Sequence, residues 1–377
     1  MKKNQLVTLG KHIDILSGCA FPSSGFNRNN GVPLIRIRDI LSGKTETYYE
    51  GSYDLKYLIK KGDLLVGMDG DFNREYWKGT DALLNQRVCK ITPNPETLDK
   101  NFLYHFLQKE LDKIHATTDV VTVKHLSVKK IQDIKIRLPS LKEQKRIAAI
   151  LDKADAIRQK REQAIKLADD FLRAKFLEMF GTPANNIHRF PKGTIRDLVD
   201  SVNYGTSAKA SIDSGEYPIL RMGNITYQGR WDFTDLKYLD LSVKEKDKYL
   251  VKEGDLLFNR TNSKELVGKT AVYEEDRPMA FAGYLIRVRP NSIGNNYYIS
   301  GYLNSIHGKI TLMNMCKSIV GMANINAQEL QNIEILIPPK HLQDEYEIIY
   351  KKIKKGLSIY DKSAMQLQLL ASNLSNK

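Results

Sequence analysis

The chain has 377 residues, with 58 Lys and Arg against 44 Asp and Glu, for a formal net charge of +14. That length accommodates two or three domains with cores of their own. The basic excess is spread along the chain and not gathered in a tail, which suits a protein meeting a polyanion at several places. Cys19, Cys89 and Cys316 form no CxxC pair, which argues against a disulfide framework or a zinc site. No run of about 18 apolar residues is available to span a membrane. Lys2 and Lys3 precede no long apolar core of a secretory signal, so a cytoplasmic location is expected.

In chain order, residues 4–18 (NQLVTLGKHIDILSG) form a short opening element that runs into a glycine turn. VPLIRIRDI (32–40) and GDLLVGM (62–68) read as strands separated by a polar, Tyr-rich loop. LLNQRVCKITP (83–93) reads as another apolar strand, ended by Pro93, with Arg87 as a structural interruption. NFLYHFLQKELDKIH (101–115) has helical spacing, and VKKIQDIKIRLP (128–139) closes the region as a strand. Leu141 to Phe180 contains neither Gly nor Pro, is rich in Ala, Leu, Lys, Glu and Gln, and follows Pro139. It predicts one uninterrupted helix, stopped by Gly181-Thr182-Pro183.

The pattern then starts again. TIRDLVDSVNYG (194–205) echoes the opening, YPILRMGNI (217–225) answers VPLIRIRDI, and EGDLLFNR (253–260) answers KGDLLVGM. YYISGYLNSIHGKI (297–310) answers the 101–115 helix, and AQELQNIEILIP (327–338) answers VKKIQDIKIRLP. An ordered ladder of matches whose offset grows gradually is an internal duplication. The apolar stripe Ile150, Ala154, Ile157, Ala164, Ala168 and Phe171 of the first long helix calls for a partner. A heptad seam from Leu342 through Tyr346, Ile349, Ile353, Gly356, Tyr360, Ser363, Leu367, Leu370 and Leu374 supplies one. The expected fold class is α/β (α+β). Two pseudo-repeated globular heads, 1–139 and 182–338, are separated by two long helices, 140–181 and 339–377, packed as an antiparallel coiled coil. Forty helical residues make a spacer of roughly 60 Å.

Catalytic signatures fail one by one. Gly268-Lys269-Thr270 resembles the end of a phosphate-binding loop, but Ser263 stands where its first glycine belongs. Asp69, Asp71 and Asn73 open like a calcium loop, yet Arg74 replaces the turn glycine and Thr80 the closing Glu. There is no HExxH, no methyl-donor glycine loop and no Asn/Asp-Pro-Pro-aromatic motif, and the His residues are scattered. No chemistry by this chain alone is expected, and no metal site.

IRLPSLKEQKRIAAILDKADAIRQKREQAI (136–165) and ILIPPKHLQDEYEIIYKKI (335–353) resemble the central and distal conserved regions of the specificity subunits of Type I restriction–modification enzymes. GDLLVGMDGDFN (62–73) with LLNQRVC (83–89), and GDLLFNRTNSKELVGKTAVY (254–273), resemble their target-recognition domains. The resemblance covers nearly the whole chain, with Ser140 in place of a common second proline. It implies a non-catalytic subunit. Each head would read one half of a bipartite, asymmetric site in double-stranded DNA, and the helical pair would set the gap. The helices would also dock two modification (methyltransferase) subunits, joined by restriction/translocase subunits. S-adenosylmethionine, ATP and Mg²⁺ would belong to those partners, with no cofactor bound by this chain.

Base edges are read by Arg, Lys, Asn and Gln, while phosphates are held by the same basic residues and by hydroxyls. The candidates in the first head are Arg36, Arg38, Asn73, Arg74, Tyr76, Trp77, Lys78 and Gln86. In the second they are Arg221, Asn224, Asn259, Arg260, Asn262, Lys264 and Lys269. Two rival readings are a fusion that carries its own catalysis, opposed by the missing motifs, and a coiled-coil scaffold without sequence-specific DNA readout. The basic balance of both heads and their matched polar loops speak against the scaffold.

Overall fold

The computed structural model describes residues 5–118, 123–319 and 322–375. They divide into two compact units, one of Met1–Gln159 with Ser363–Lys377, the other of Lys160–Lys362. Both are built from sheets and helices on one plan. In the first unit, Ile13–Ser17, Val88–Pro93, Leu64–Gly67 and Arg74–Tyr76 form an antiparallel sheet in that order. In the second, Val199–Tyr204, Leu285–Pro290, Leu256–Asn259 and Thr270–Val272 repeat it strand for strand.

A second sheet is repeated as well. Val32–Ile35 runs parallel to Ala82–Leu84, which pairs antiparallel with Leu58–Ile59. Tyr217–Leu220, Met279–Phe281 and Leu250–Val251 have the same relations. Each unit is closed by its first and last strands, Gln5–Thr8 with Lys135–Leu138 and Lys192–Thr194 with Glu334–Leu336. The duplication read from sequence is thus a duplication of topology.

The repeated GDLL has a local cause. Gly62 at φ +90° and Gly254 at φ +88° turn the chain through a region that favours glycine. The following carboxylate then fastens the turn: Asp63 accepts the Lys60 N–H and Asp255 the Lys252 N–H, both at 2.9 Å. The two leucines enter the sheet, and all four are buried.

The helices of the first unit are α1 (Lys100–Ala116), α2 (Val128–Gln132), the N-terminal part of α3 (Leu141–Phe180) and the last part of the C-terminal helix, from Ser363 on. The second unit contains the rest of α3, then α4 (Val243–Tyr249), α5 (Asn296–Asn304), α6 (Ile306–Met315), α7 (Ala327–Gln331) and the first part of α8 (Lys340–Ser375). Among the described residues, no helix is long and apolar enough to cross a membrane.

Several boundaries differ from the sequence expectation. VPLIRIRDI leaves the sheet at Ile35, because the Asp39 carboxylate accepts the Arg36 N–H at 2.9 Å and winds Ile37–Asp39 into a 3-10 turn. The run 83–93 is two strands in different sheets, divided at Asn85–Arg87. The run 128–139 begins as α2, capped by the Ser127 hydroxyl, before it becomes a strand. The counterpart of α1 is broken in two at Ser305, whose hydroxyl caps α6.

α3 is the single helix expected, but the stripe read along it is not its covered face throughout. Phe171 is 49% exposed and Ile157 is also exposed. Each end of the helix is instead claimed by the core of its own unit. Ala148 joins the first core with Leu103, Leu107 and Ile131. Phe176 and Phe180 join the second, where Phe176 stacks on Tyr298 at 5.6 Å and meets Tyr346 of α8 edge-on at 5.4 Å. α8 continues as helix through Gly356. Its distal seam positions Tyr360, Ser363, Leu367, Leu370 and Leu374 lie outside the residues whose side chains are described.

One polar feature is also duplicated. Gln144, fully buried in the first turns of α3, donates its amide to Pro139 O at 2.9 Å and to Thr97 O at 3.0 Å, just before α1. Gln343, fully buried in α8, donates to Pro338 O at 2.8 Å and to Ile293 O at 3.0 Å, just before α5. Thr97 and Ile293 each precede the N-cap, Asp99 or Asn295, by two residues.

Candidate nucleic-acid interface

In each unit the strand launched by GDLL ends beside a two-residue turn that joins the two sheets. In the first unit the turn is Gln86-Arg87. Three backbone bonds from two separate segments fix it: Gly18 N–H to Val88 O, Cys19 N–H to Leu84 O and Met68 N–H to Arg87 O, each 2.9 Å. In the second the turn is Gly283-Tyr284. Thr206 N–H donates to Phe281 O at 2.9 Å, Gly283 N–H to Thr206 O at 2.8 Å and Arg260 N–H to Tyr284 O at 3.0 Å. Gly18 and Gly205 are required where they stand. A Cβ on either would come within 2.0 Å of Asn85 O or 2.3 Å of Phe281 O.

The side chains these turns present are exposed. Gln86 is exposed, the Arg87 side chain is 55% exposed and Tyr284 is 56% exposed. Arg87 is thus no interruption of a buried strand, as its position in the sequence suggested. Its guanidinium lies 3.2 Å from Asp69, whose other oxygen meets His125 at 2.6 Å. In the second unit the Arg260 guanidinium lies 4.8 Å over the ring of Tyr204, within 3.5 Å of Asn324 Oδ1. From sequence, Arg87 beside Gln86 reads as structural, and Tyr284 is not nominated. Aligning LNQRV (84–88) with FAGYL (281–285) along the duplication pairs Arg87 with Tyr284 and would have drawn attention to both.

The nominated residues separate into two groups. Arg36, Arg38, Lys78, Gln86 and Lys264 are exposed, Arg38 and Lys78 beside Asp39 and Glu75 at 3.7 and 3.3 Å. Asn73, Arg260 and Asn262 are half-buried on the loops that follow the launched strands. Arg74 is half-buried as well, its guanidinium 3.4 Å from the centre of the Tyr104 ring.

Others are engaged inside the fold and leave the candidate surface. Trp77 is 2% exposed and donates its indole N–H to Thr80 O. Tyr76 stacks on Tyr104 at 4.6 Å and donates to Lys100 O; burial pushes its phenol pKa up. Asn224 is buried, accepting from Arg221 N–H and donating to Asp232 O and Asp235 O, as a capping residue does. Arg221 itself is tied to Asp235 at 2.8 Å. Asn259 is fully buried. Lys269 is buried and donates to Met222 O at 2.8 Å, and burial lowers its pKa.

Among the described residues no cluster of three or more His, Cys, Asp or Glu could hold a metal ion. What the two surfaces can do is present fixed polar and aromatic side chains in different combinations from one backbone frame.

The family described as "Type I restriction modification DNA specificity domain" matches the chain over residues 1–167 and 190–371. The chain is 30% identical over 401 residues to the Type I restriction enzyme EcoBI specificity subunit of Escherichia coli, spanning 98% of this chain and 82% of that one. It is 23% identical over 377 residues to the EcoKI specificity subunit of E. coli K12, spanning 93% and 80%. Among solved structures, the S subunit of a Type I restriction–modification system from M. genitalium shares its fold. The TM-score is 0.64 at 15% identity, covering 99% of this chain and 96% of that one.

Proposed function

The chain belongs to the Type I restriction–modification DNA specificity family, and we propose that each of its heads reads one half of a bipartite, asymmetric site in double-stranded DNA. The observation that carries this reading is the pair of pinned turns: corresponding backbone bonds, Cys19 N–H to Leu84 O with Met68 N–H to Arg87 O, and Thr206 N–H to Phe281 O with Arg260 N–H to Tyr284 O, hold Gln86-Arg87 in one head and Gly283-Tyr284 in the other. Two copies of one reader with different side chains make an asymmetric site. Gln and Arg offer bidentate bonds to purine edges, and Tyr offers an apolar ring and a hydroxyl.

The heads correspond to 1–139 and 182–338, and the long helices, 140–181 and 339–377, form an antiparallel pair that sets the gap and docks two modification subunits. Support for the pairing within the second unit is the contact of Tyr346 with Phe176 and Phe180. The chain itself carries no catalysis. S-adenosylmethionine, ATP and Mg²⁺ belong to the modification and restriction/translocase subunits, and the complex works in the cytoplasm, where the DNA is.

The test is exchange of a head. Replacing residues 182–338 by the equivalent segment of another specificity subunit is expected to change one half-site and leave the other intact, read by methylation mapping with cognate partners. Simultaneous change of both half-sites overturns independent readout.

At finer grain, Arg87→Ala and Arg260→Ala are each expected to weaken specific binding by about 1–3 kcal/mol and relax selectivity within one half-site. Arg74→Ala is expected to lose its contact with Tyr104 and act through the loop. Competition binding against single-base variants of the site measures both effects. Equal loss for every sequence would mark a phosphate contact instead.

A further inference from the structure

The second head contains a lysine whose surroundings are unusual. Lys309 lies in the first turn of α6, its ammonium is buried, and among the described residues it donates to no protein acceptor. The charges that act on it are both positive: Arg173 of α3 and Lys269. Burial, and then these two cations, pull its pKa down to about 8. The ring of Tyr227 lies 4.8 Å beneath it. In the register set by the N-caps Asp99 and Asn295, the corresponding residue of the first head is Lys113. That residue is exposed and paired with Glu110 at 2.6 Å.

The cleft around Lys309 is lined by Arg173, Tyr227, Lys264 and Glu265, with Ile306 and Ile310 on the α6 side. Its acidic neighbours already have partners. Glu265 is held by its own backbone and by Ser263, which lower its pKa, and Asp170 pairs with Arg173 itself at 3.6 Å. A buried cation is ordinarily paired. The face of an aromatic ring only partly replaces the lost water, and the positive end of α6 adds to the repulsion. A tetrahedral oxyanion would satisfy all of these at once: an ammonium, a guanidinium fork and the helix terminus.

We propose that this cleft of the second head binds a phosphate group through Lys309 and Arg173, with Lys264 at its rim. When the chain is on DNA, the group is a backbone phosphodiester, a point that rests on the DNA reading above. The contact fixes the register of the head on the duplex and adds no base preference.

The test uses the full chain and its Lys309→Met and Lys309→Arg variants, in two titrations. The first adds inorganic phosphate and follows ³¹P line broadening. The second measures affinity for the cognate duplex as a function of salt. Lys309→Met is expected to abolish the phosphate titration. It is also expected to weaken duplex binding about tenfold at low salt and make the salt slope shallower by about 0.9, the signature of one lost phosphate contact. Lys309→Arg is expected to retain both. Thermal stability should hold or rise in Lys309→Met, because an unpaired buried charge is removed.

A changed phosphate titration with an unchanged duplex slope supports the oxyanion site and assigns it to free phosphate. A Lys309→Met variant that is less stable, with both titrations intact, overturns the proposal and makes Lys309 a packing residue over Tyr227. Loss of duplex recognition by the unmodified chain would strike the DNA reading alone, since the inorganic phosphate titration does not depend on it.

Discussion

Inserting four residues after Gln159 of α3 is expected to widen the gap between the recognised half-sites by one or two base pairs and to leave both half-site sequences unchanged. α3 is one continuous helix of 40 residues, so four more lengthen it by roughly 6 Å. Base pairs stack about 3.4 Å apart, which converts that length into the change of gap. Four residues overshoot a full helical turn by about 40°, a rotation the apolar contacts at either end can absorb. The insertion lies away from the Ala148 and Phe176 contacts, so each core keeps its own share of the helix. On the antiparallel pairing proposed above, affinity is expected to fall, since α8 is not lengthened to match. Methylation mapping in cells that carry the variant and its partner subunits gives the answer. Full activity at the original gap would show that this helix does not set the spacing.

The largest effect on stability is expected from Phe176→Ala. Phe176 is 1% exposed, stacks on Tyr298 and packs edge-on against Tyr346, and a Cβ on Gly301 would come within 2.6 Å of its ring. Little space is available for the surroundings to collapse, so truncation should cost about 3–5 kcal/mol. Phe171, one turn and a half earlier and pointing outward, should cost within about 0.5 kcal/mol when replaced by Ala. Hydrogen exchange across residues 160–362 in denaturant distinguishes the two variants. Equal destabilisation would mean that the helix face predicted from sequence is covered as well as the observed one.

That pair of phenylalanines also marks where the sequence stopped being legible. The absence of Gly and Pro from 141–180 is a local property and gave the helix its limits. Which face is covered depends on what lies beside it, and here each end belongs to a different core. The duplication was readable because GDLL is a turn with its own chemistry, a positive-φ glycine and a capping carboxylate, repeated intact. The change of sheet at Asn85–Arg87 was not, since two short apolar runs without an intervening Gly or Pro look like one strand. The second head, with Gly283 at that position, shows the turn openly.

The surface was harder still. Trp77, Asn224 and Lys269 have the composition of DNA-contacting residues, but an indole, an amide or an ammonium can equally bind a carbonyl of its own chain. Only the placement of those carbonyls decides. Asn224 did leave a trace in the sequence: Arg36-x-x-Asp39 and Arg221-x-x-Asn224 share the spacing of a capping box.

Gln144 and Gln343 give the duplicated chain a common coupling. Each amide joins the proline before its long helix to the loop that opens the preceding globular helix. An apolar patch tolerates many shapes, whereas a buried amide needs carbonyls at fixed points, and losing one costs about 1–3 kcal/mol. A head that offers those carbonyls and ends in that proline therefore fits either helix without refitting. Genetic crossovers that fall between the proline and glutamine codons are expected to yield folded offspring, so a lineage can exchange half of its vocabulary in a single event and inherit its ruler unaltered.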